Sequence, residues 1–186
     1  MLTLIIPAKN EPYLSILLNK LKRLKNTEIL IQTEEGLGNA VKKGVKKAKG
    51  NKIIIIDADG SHNPKYIPIF SRLLDKHSMV LGSRYIKDGY DKRKFYRRVI
   101  SVVSTLFARL KLRNGVKDPL SGFFGFKKEL LNNISLDCNG FKIGFEVMMK
   151  TKVKAKEIPI VLEERKMGKS KANFKEFISL VRLLCR

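Results

Sequence analysis

Two carboxylates, Asp57 and Asp59, stand one residue apart directly after four consecutive isoleucines, Ile53 to Ile56. In an extended chain, residues i and i+2 point the same way, so both can converge on one ion. Hard oxygen ligands of this kind suit Mg2+ or Mn2+, which keep water and take phosphate oxygens as further ligands. The bland alternative is an N-cap or turn aspartate following a strand. It accounts for Asp59, because Gly60-Ser61-His62-Asn63-Pro64 reads as a turn into a helix. It does not account for Asp57, whose burial beside a second carboxylate is costly without a cation.

The elements that must position this pair follow from hydrophobic spacing. Leu2 to Ile6 is an apolar run closed by Pro7 and reads as a buried strand. Glu11 to Lys25 carries Leu14, Leu17, Leu18, Leu21 and Leu24 at helical spacing. Glu28 to Gln32 reads as a strand, and Gly36 and Gly38 open a helix with the stripe Ala40, Val41, Gly44, Val45 and Ala48. The isoleucine run is a strand buried on both faces, Pro64 to Lys76 a helix, and Met79 to Leu81 a strand. This alternation predicts an α/β chain with a parallel sheet covered by helices, and ligands of such sheets sit at the carboxyl ends of the strands. Residues 84–98 read as a long polar loop, Val99 to Leu112 as an apolar helix with basic ends, and Asp118 to Gly122 as a turn. Phe123 to Phe126 and Lys156 to Leu162 read as strands, and Phe145 to Lys150 as helical. Glu163 to Ala172 reads as a charged loop, and Asn173 to Cys185 as an amphipathic helix.

Composition narrows the class. The 186 residues suit one domain with a proper core, and 44% hydrophobic against 30% charged residues excludes a disordered chain. No apolar stretch approaches the roughly 20 residues needed to cross a bilayer. The N-terminus lacks the basic region and cleavage site of a signal peptide, and Cys138 and Cys185 are too few and too distant for a metal cluster or disulfide framework. A reducing, cytoplasmic setting fits. Lysine and arginine number 39 against 17 acidic residues, a net charge of +22, which attracts nucleic acid, anionic lipid or phosphorylated substrates. Lys42, Lys43, Lys46, Lys47 and Lys49 fit a merely solvated helix face, so charge alone chooses no partner. No aromatic-rich RNA-binding signature or helix-turn-helix pattern is present, which counts against nucleic acid.

Two enzyme classes use such an aspartate pair. Ile56-Asp57-Ala58-Asp59-Gly60-Ser61 resembles the motif of haloacid-dehalogenase-like phosphatases, in which Asp57 would be the nucleophile and Asp59 an acid/base. That motif usually lies on a first strand, and the later acidic element is absent here. The other class is nucleotide-sugar transferases of the GT-A type, where Asp-x-Asp holds the metal on a diphosphate. A third reading is a non-catalytic basic protein that binds nucleic acid or acidic membrane.

Further segments choose among these. In order come Ile5-Ile6-Pro7-Ala8-Lys9-Asn10-Glu11, Gly36-Leu37-Gly38-Asn39-Ala40, Asp57-Ala58-Asp59-Gly60-Ser61-His62-Asn63-Pro64 and Gly82-Ser83-Arg84-Tyr85. Arg97-Arg98-Val99-Ile100-Ser101, Asp118-Pro119-Leu120-Ser121-Gly122-Phe123 and Arg165-Lys166-Met167-Gly168-Lys169-Ser170-Lys171 follow. Over nearly its whole length the chain resembles family 2 glycosyltransferases, specifically the dolichol-phosphate (polyprenyl-phosphate) mannosyltransferase group.

The resemblance implies a single GT-A domain over 1–186, with a Rossmann-like, mostly parallel sheet and a small mixed acceptor-side part. Residues 1–83 would be the nucleotide-sugar half and 84–186 the acceptor half. Pro7, Ala8, Glu11 and Gly38 would line the donor pocket, with Ala58 between the metal-holding Asp57 and Asp59 and Ser61 as third ligand. Arg84, Arg97 and Ser101 would hold the acceptor's phosphate, and Arg165, Ser170 and Lys171 would close on the donor diphosphate. Catalysis would rest on Asp57, Asp59 and Arg84, with Mg2+ or Mn2+. The reaction implied is inverting transfer of mannose or glucose from a nucleotide-sugar to polyprenyl or dolichyl phosphate. Glu28 to Gln32 leads directly into Gly36, one βα unit shorter than the family pattern, and the terminal membrane helices of many relatives are absent.

Membrane contact would then come from amphipathic helices. Val99, Ile100, Val103, Leu106, Phe107 and Leu110 share one face, flanked by Arg97, Arg98, Arg109 and Lys111; Phe174, Phe177, Ile178, Val181 and Leu184 share another. Ordinary core-packing helices look the same. The excess charge and a lipid-phosphate acceptor favour a peripheral position on an anionic membrane surface, at the cytoplasmic face. A separate membrane anchor protein is compatible with this reading.

Overall fold

The computed structural model describes residues 1–34, 36–132, 134–137 and 142–167. The helix expected over 173–185, together with Ser170 and Lys171, lies outside them.

Six strands form the main sheet: β1 (Leu2–Pro7), β2 (Thr27–Gln32), β3 (Lys52–Ile55), β4 (Met79–Ser83), β6 (Phe124–Lys127) and β7 (Lys156–Pro159), in the spatial order β2-β1-β3-β6-β4-β7. β1 runs parallel to β2 and β3, and β4 parallel to β7. The strands are apolar on both sides because both faces are covered. Leu4, Ile6, Ile54, Ile56 and Val80 face α1 (Leu14–Leu21) and α3 (Ile67–Lys76) through Leu17, Leu21, Phe70 and Leu74. The alternate residues Ile5, Ile53, Ile55, Met79 and Leu81 face α2 (Leu37–Lys47) and α5 (Ile143–Thr151) through Val41, Ile143, Val147 and Met148. The expected α/β architecture is present.

Four local expectations are corrected. β6 is antiparallel, inserted between β3 and β4. α1 is shorter than Glu11 to Lys25: it is entered through a turn at Glu11 and left before Asn26, which takes a left-handed conformation (φ 51°) leading into β2. Residues 84–98 are not a loop throughout. Tyr90–Asp91 (β5) pair with Val161–Leu162 (β8), and α4 already starts at Phe95 and runs to Leu112. The strand expected over 156–162 breaks at Ile160, where it exchanges β4 for β5 as its partner; Ile160 N–H still donates to Ser83 O at 3.0 Å.

α4 packs inward with small residues. Thr105 and Ala108 are its buried positions, and Ala108 meets Leu120 and Phe145. Its large apolar residues point outward: Ile100 is 59%, Phe107 57% and Leu110 63% exposed. Among the described residues nothing covers that face. No helix of the described residues is long and apolar enough to cross a membrane.

Candidate active site

The candidate site lies beyond the carboxyl ends of β1, β3 and β4. Pro7 ends β1, and Ala8 N–H donates to Gln32 O at 2.8 Å, tying the exits of β1 and β2 together. Asn10, with φ 55°, turns the chain toward Glu11. Beyond β3, Asp57 is partly exposed while Ala58 and Asp59 are buried. Both the N–H and the hydroxyl of Ser61 donate to Asp59 Oδ1, at 2.9 and 2.6 Å. That tight turn needs φ 80° at Gly60, where a Cβ would also lie 2.8 Å from the Tyr13 ring.

A distant segment is laid against this turn. Glu163 N–H donates to Ser61 O and Lys166 N–H to Asp59 O, each at 3.0 Å. Arg165 is thereby aimed into the site: Nη1 is 2.9 Å from Glu11 Oε2 and Nη2 is 3.1 Å from Asp59 Oδ2. Burial, reinforced by the negative Asp59 and opposed by Arg165, pushes the Asp57 carboxyl up to about 7. Beside it, His62 Nδ1 lies 3.6 Å from Asp57 Oδ2 and has no hydrogen bond. Burial drives that imidazole down to about 4, so it is neutral.

These observations fit a divalent cation. Two crowded carboxylates, one holding its proton more tightly than an ordinary carboxyl, gain from a positive ion. Among the described residues no group of three or more His, Cys, Asp or Glu converges as a metal cage. An ion here would use Asp57, Asp59 and the Ser61 hydroxyl, with water and phosphate completing its shell, as hard cations in phosphate sites do.

Beyond β4, Arg84 is buried, and its fork grips Asp118: Nε donates to Oδ2 and Nη2 to Oδ1, both at 2.7 Å. Nη1 donates to Ser101 Oγ at 2.8 Å and reaches Asp91 Oδ2 at 3.4 Å. Arg84 and Ser101 are thus brought together, but the bidentate face expected to hold an acceptor phosphate is occupied by a protein carboxylate. Arg97, the third expected phosphate ligand, instead donates through Nε to the hydroxyl of neighbouring Tyr96 at 3.2 Å. Gly38 is buried in the first turn of α2. Glu34, in the short segment between β2 and α2, is ion-paired to Lys43.

The sequence reading missed Asp91 and Arg93, and it gave His62 no role. Arg93 pairs with Asp91 through Nε at 2.9 Å and Nη2 at 2.6 Å. Burial alone would raise the Asp91 carboxyl, but Arg93 and then Arg84 hold it below its ordinary range. No local pattern signals this, because Asp91 is fixed by a pairing with residue 162. For His62 the signal was present: it lies within the quoted aspartate segment.

The description Glycosyl transferase family 2 matches residues 26–135. The chain is 36% identical over 159 residues to a dolichol-phosphate mannosyltransferase of Pyrococcus furiosus, covering 82% of this chain and 45% of that protein. It is 37% identical over 172 residues to the dolichol-phosphate mannosyltransferase of Saccharomyces cerevisiae, covering 86% of this chain and 63% of that one. The chain therefore spans about half the length of the curated relatives it matches. Among solved structures it resembles glucosyl-3-phosphoglycerate synthase from Mycobacterium tuberculosis in complex with Mn2+, UDP-glucose and glycerol 3-phosphate. The TM-score is 0.70 at 14% identity, covering 100% of this chain and 77% of that one. The same synthase with Mg2+ and UDP gives 0.69 at 15%, covering 100% and 76%. At such identity the likeness establishes the fold, the α/β arrangement of GT-A proteins.

Proposed function

Because the chain belongs to glycosyl transferase family 2, we propose that it transfers a hexose from a nucleotide-sugar to polyprenyl or dolichyl phosphate at a membrane surface. The observation that carries this reading is the convergence of Glu11, Asp57, Asp59 and Arg165 at the exits of β1 and β3. Carboxylates for a cation beside a guanidinium for phosphate form a site for a nucleoside diphosphate. Mannose is the sugar named by the sequence relatives.

The reaction is a displacement at the anomeric carbon. An acceptor phosphate oxygen forms the new bond, the bond to the donor diphosphate breaks, and the electron pair leaves with the diphosphate. Attack from the opposite face inverts the configuration. The nucleophile is already anionic at neutral pH, so no strong general base is required. Asp57, Asp59 and Ser61 would hold Mg2+ or Mn2+, which supplies charge neutralisation on the leaving group. Arg165, with Ser170 and Lys171, would contact the diphosphate, and Pro7, Ala8, Glu11, Ala58 and Gly38 would border the donor. Ser101 and Arg97 would face the acceptor phosphate, with Arg84 positioning Ser101 from its seat on Asp118. The outward face of α4 would lie on the anionic leaflet that carries the acceptor.

The test is incubation with labelled GDP-mannose or UDP-glucose, Mg2+ and dolichyl phosphate. A lipid-extractable, sugar-labelled product is expected, and Asp57→Ala should lower its formation at least about 100-fold. Unchanged activity in that variant would remove the metal assignment. No lipid-linked product with either donor would remove the reaction.

A further inference from the structure

His62 has no function in the scheme above, yet its ring is held with little freedom. It is 5% exposed and packs on Phe123 with centroids 5.1 Å apart, and Phe123 in turn stacks on Phe70 at 4.5 Å. The turn at Gly60 folds the chain back so that residue 62 faces residue 57. Its Nδ1 is buried, has no hydrogen-bond partner, and lies 3.6 Å from Asp57 Oδ2. A buried polar nitrogen left unpaired costs about 1–3 kcal/mol, so its placement needs a reason. Gly122 leaves room beside the pair: a Cβ there would sit 3.3 Å from Asp57 Oδ2 and 3.7 Å from His62 Cε1.

We propose that His62 is the positioning residue of Asp57: its Nδ1–H takes Oδ2 of that carboxylate and leaves the other oxygen to face the cation. This rests on the metal role proposed for Asp57. Carboxylates that ligate metals are commonly held by a second hydrogen-bonding group, and loss of that group lowers metal affinity by about 10–100-fold. The 3.6 Å separation is slightly too long for a hydrogen bond. A small rotation of the carboxylate, as it turns one oxygen to an ion, closes it.

Two variants separate positioning from packing. His62→Phe keeps an aromatic ring against Phe123 and removes the donor. His62→Asn loses the ring but retains an N–H on the atom corresponding to Nδ1. Mn2+ binding to the purified protein, with and without GDP, is followed by loss of the free-ion electron paramagnetic resonance signal, and thermal melting establishes that each variant is folded. Expected are a 10–100-fold weaker Mn2+ affinity for His62→Phe and an affinity within about threefold of wild type for His62→Asn. Wild-type affinity in His62→Phe overturns the proposal, as does His62→Asn binding as weakly as His62→Phe. If the wild-type chain itself takes up no Mn2+ under either condition, the metal reading of Asp57 falls and this proposal falls with it.

Discussion

The cation role proposed for Asp57 sets two demands against each other. A cation site needs it ionised, whereas the fold, through burial and Asp59, raises its carboxyl from 3.8 to about 7. A raised carboxyl means the native state binds the proton more tightly than the unfolded chain. The resulting penalty is absent below the unfolded value, grows through the interval between 3.8 and 7, and is complete above 7. Asp57→Asn removes it. In metal-free buffer that variant should melt higher than wild type by roughly 3–8 °C at pH 8, with a smaller difference at pH 5, on the general scale of pKa shift to stability and stability to melting temperature. Differential scanning calorimetry at the two pH values checks this; a lower melting temperature at pH 8 would show that the carboxylate is well accommodated without an ion. The same variant should lose Mn2+ binding, an exchange of stability for function seen at strained sites.

Among the elements, β6 does most to assemble the site. Running antiparallel between β3 and β4, it brings its preceding turn, Asp118 to Gly122, to the end of the sheet where those two strands exit. Asp118 thereby meets Arg84, and Gly122 lies against Asp57. Asp118 is 0% exposed and Arg84 8%, so removing Asp118 leaves the buried guanidinium without its bidentate partner and with only the longer 3.4 Å contact to Asp91. Asp118→Ala should destabilise the protein by about 3–5 kcal/mol, which at this chain length lowers the melting temperature by roughly 10 °C. Thermal melts would detect it, and a shift under about 2 °C would mean the pair is solvated in solution. The two-residue pairing of β5 with β8 acts similarly: it anchors both the segment before α4 and the segment that delivers Arg165.

At the scale of the whole molecule, the proposed seat on an anionic membrane would draw on both the +22 charge and the outward apolar face of α4. Basic residues near an anionic leaflet contribute about 1 kcal/mol each, screened within a Debye length. Co-sedimentation with vesicles containing anionic lipid should therefore be strong at low salt and fall steeply as ionic strength rises. Ile100→Glu with Leu106→Glu should weaken it by at least about tenfold at fixed salt, because both side chains are more than half exposed and each substitution places a charge against the lipid. Those changes should leave the melting temperature within about 2 °C, as exposed substitutions do. Vesicle binding unchanged by the two glutamates would assign the face to another partner.

The amino-acid sequence by itself determined the two-faced apolar strands, the flanking helices and the acidic pair after Ile56, because these depend on periodicity and near neighbours. It also carried the family, through short motifs in a recognisable order. Tertiary structure alone decided the rest. That β6 is antiparallel, that Asp118 belongs to Arg84, and that Arg165 reaches Glu11 and Asp59 are pairings across tens of residues, and no local spacing encodes them. The direction of the apolar face of α4 was likewise undetermined by its pattern, since a core stripe and an interfacial stripe share one period. Only the small residues Thr105 and Ala108, packed inward against the domain, turned the large ones out.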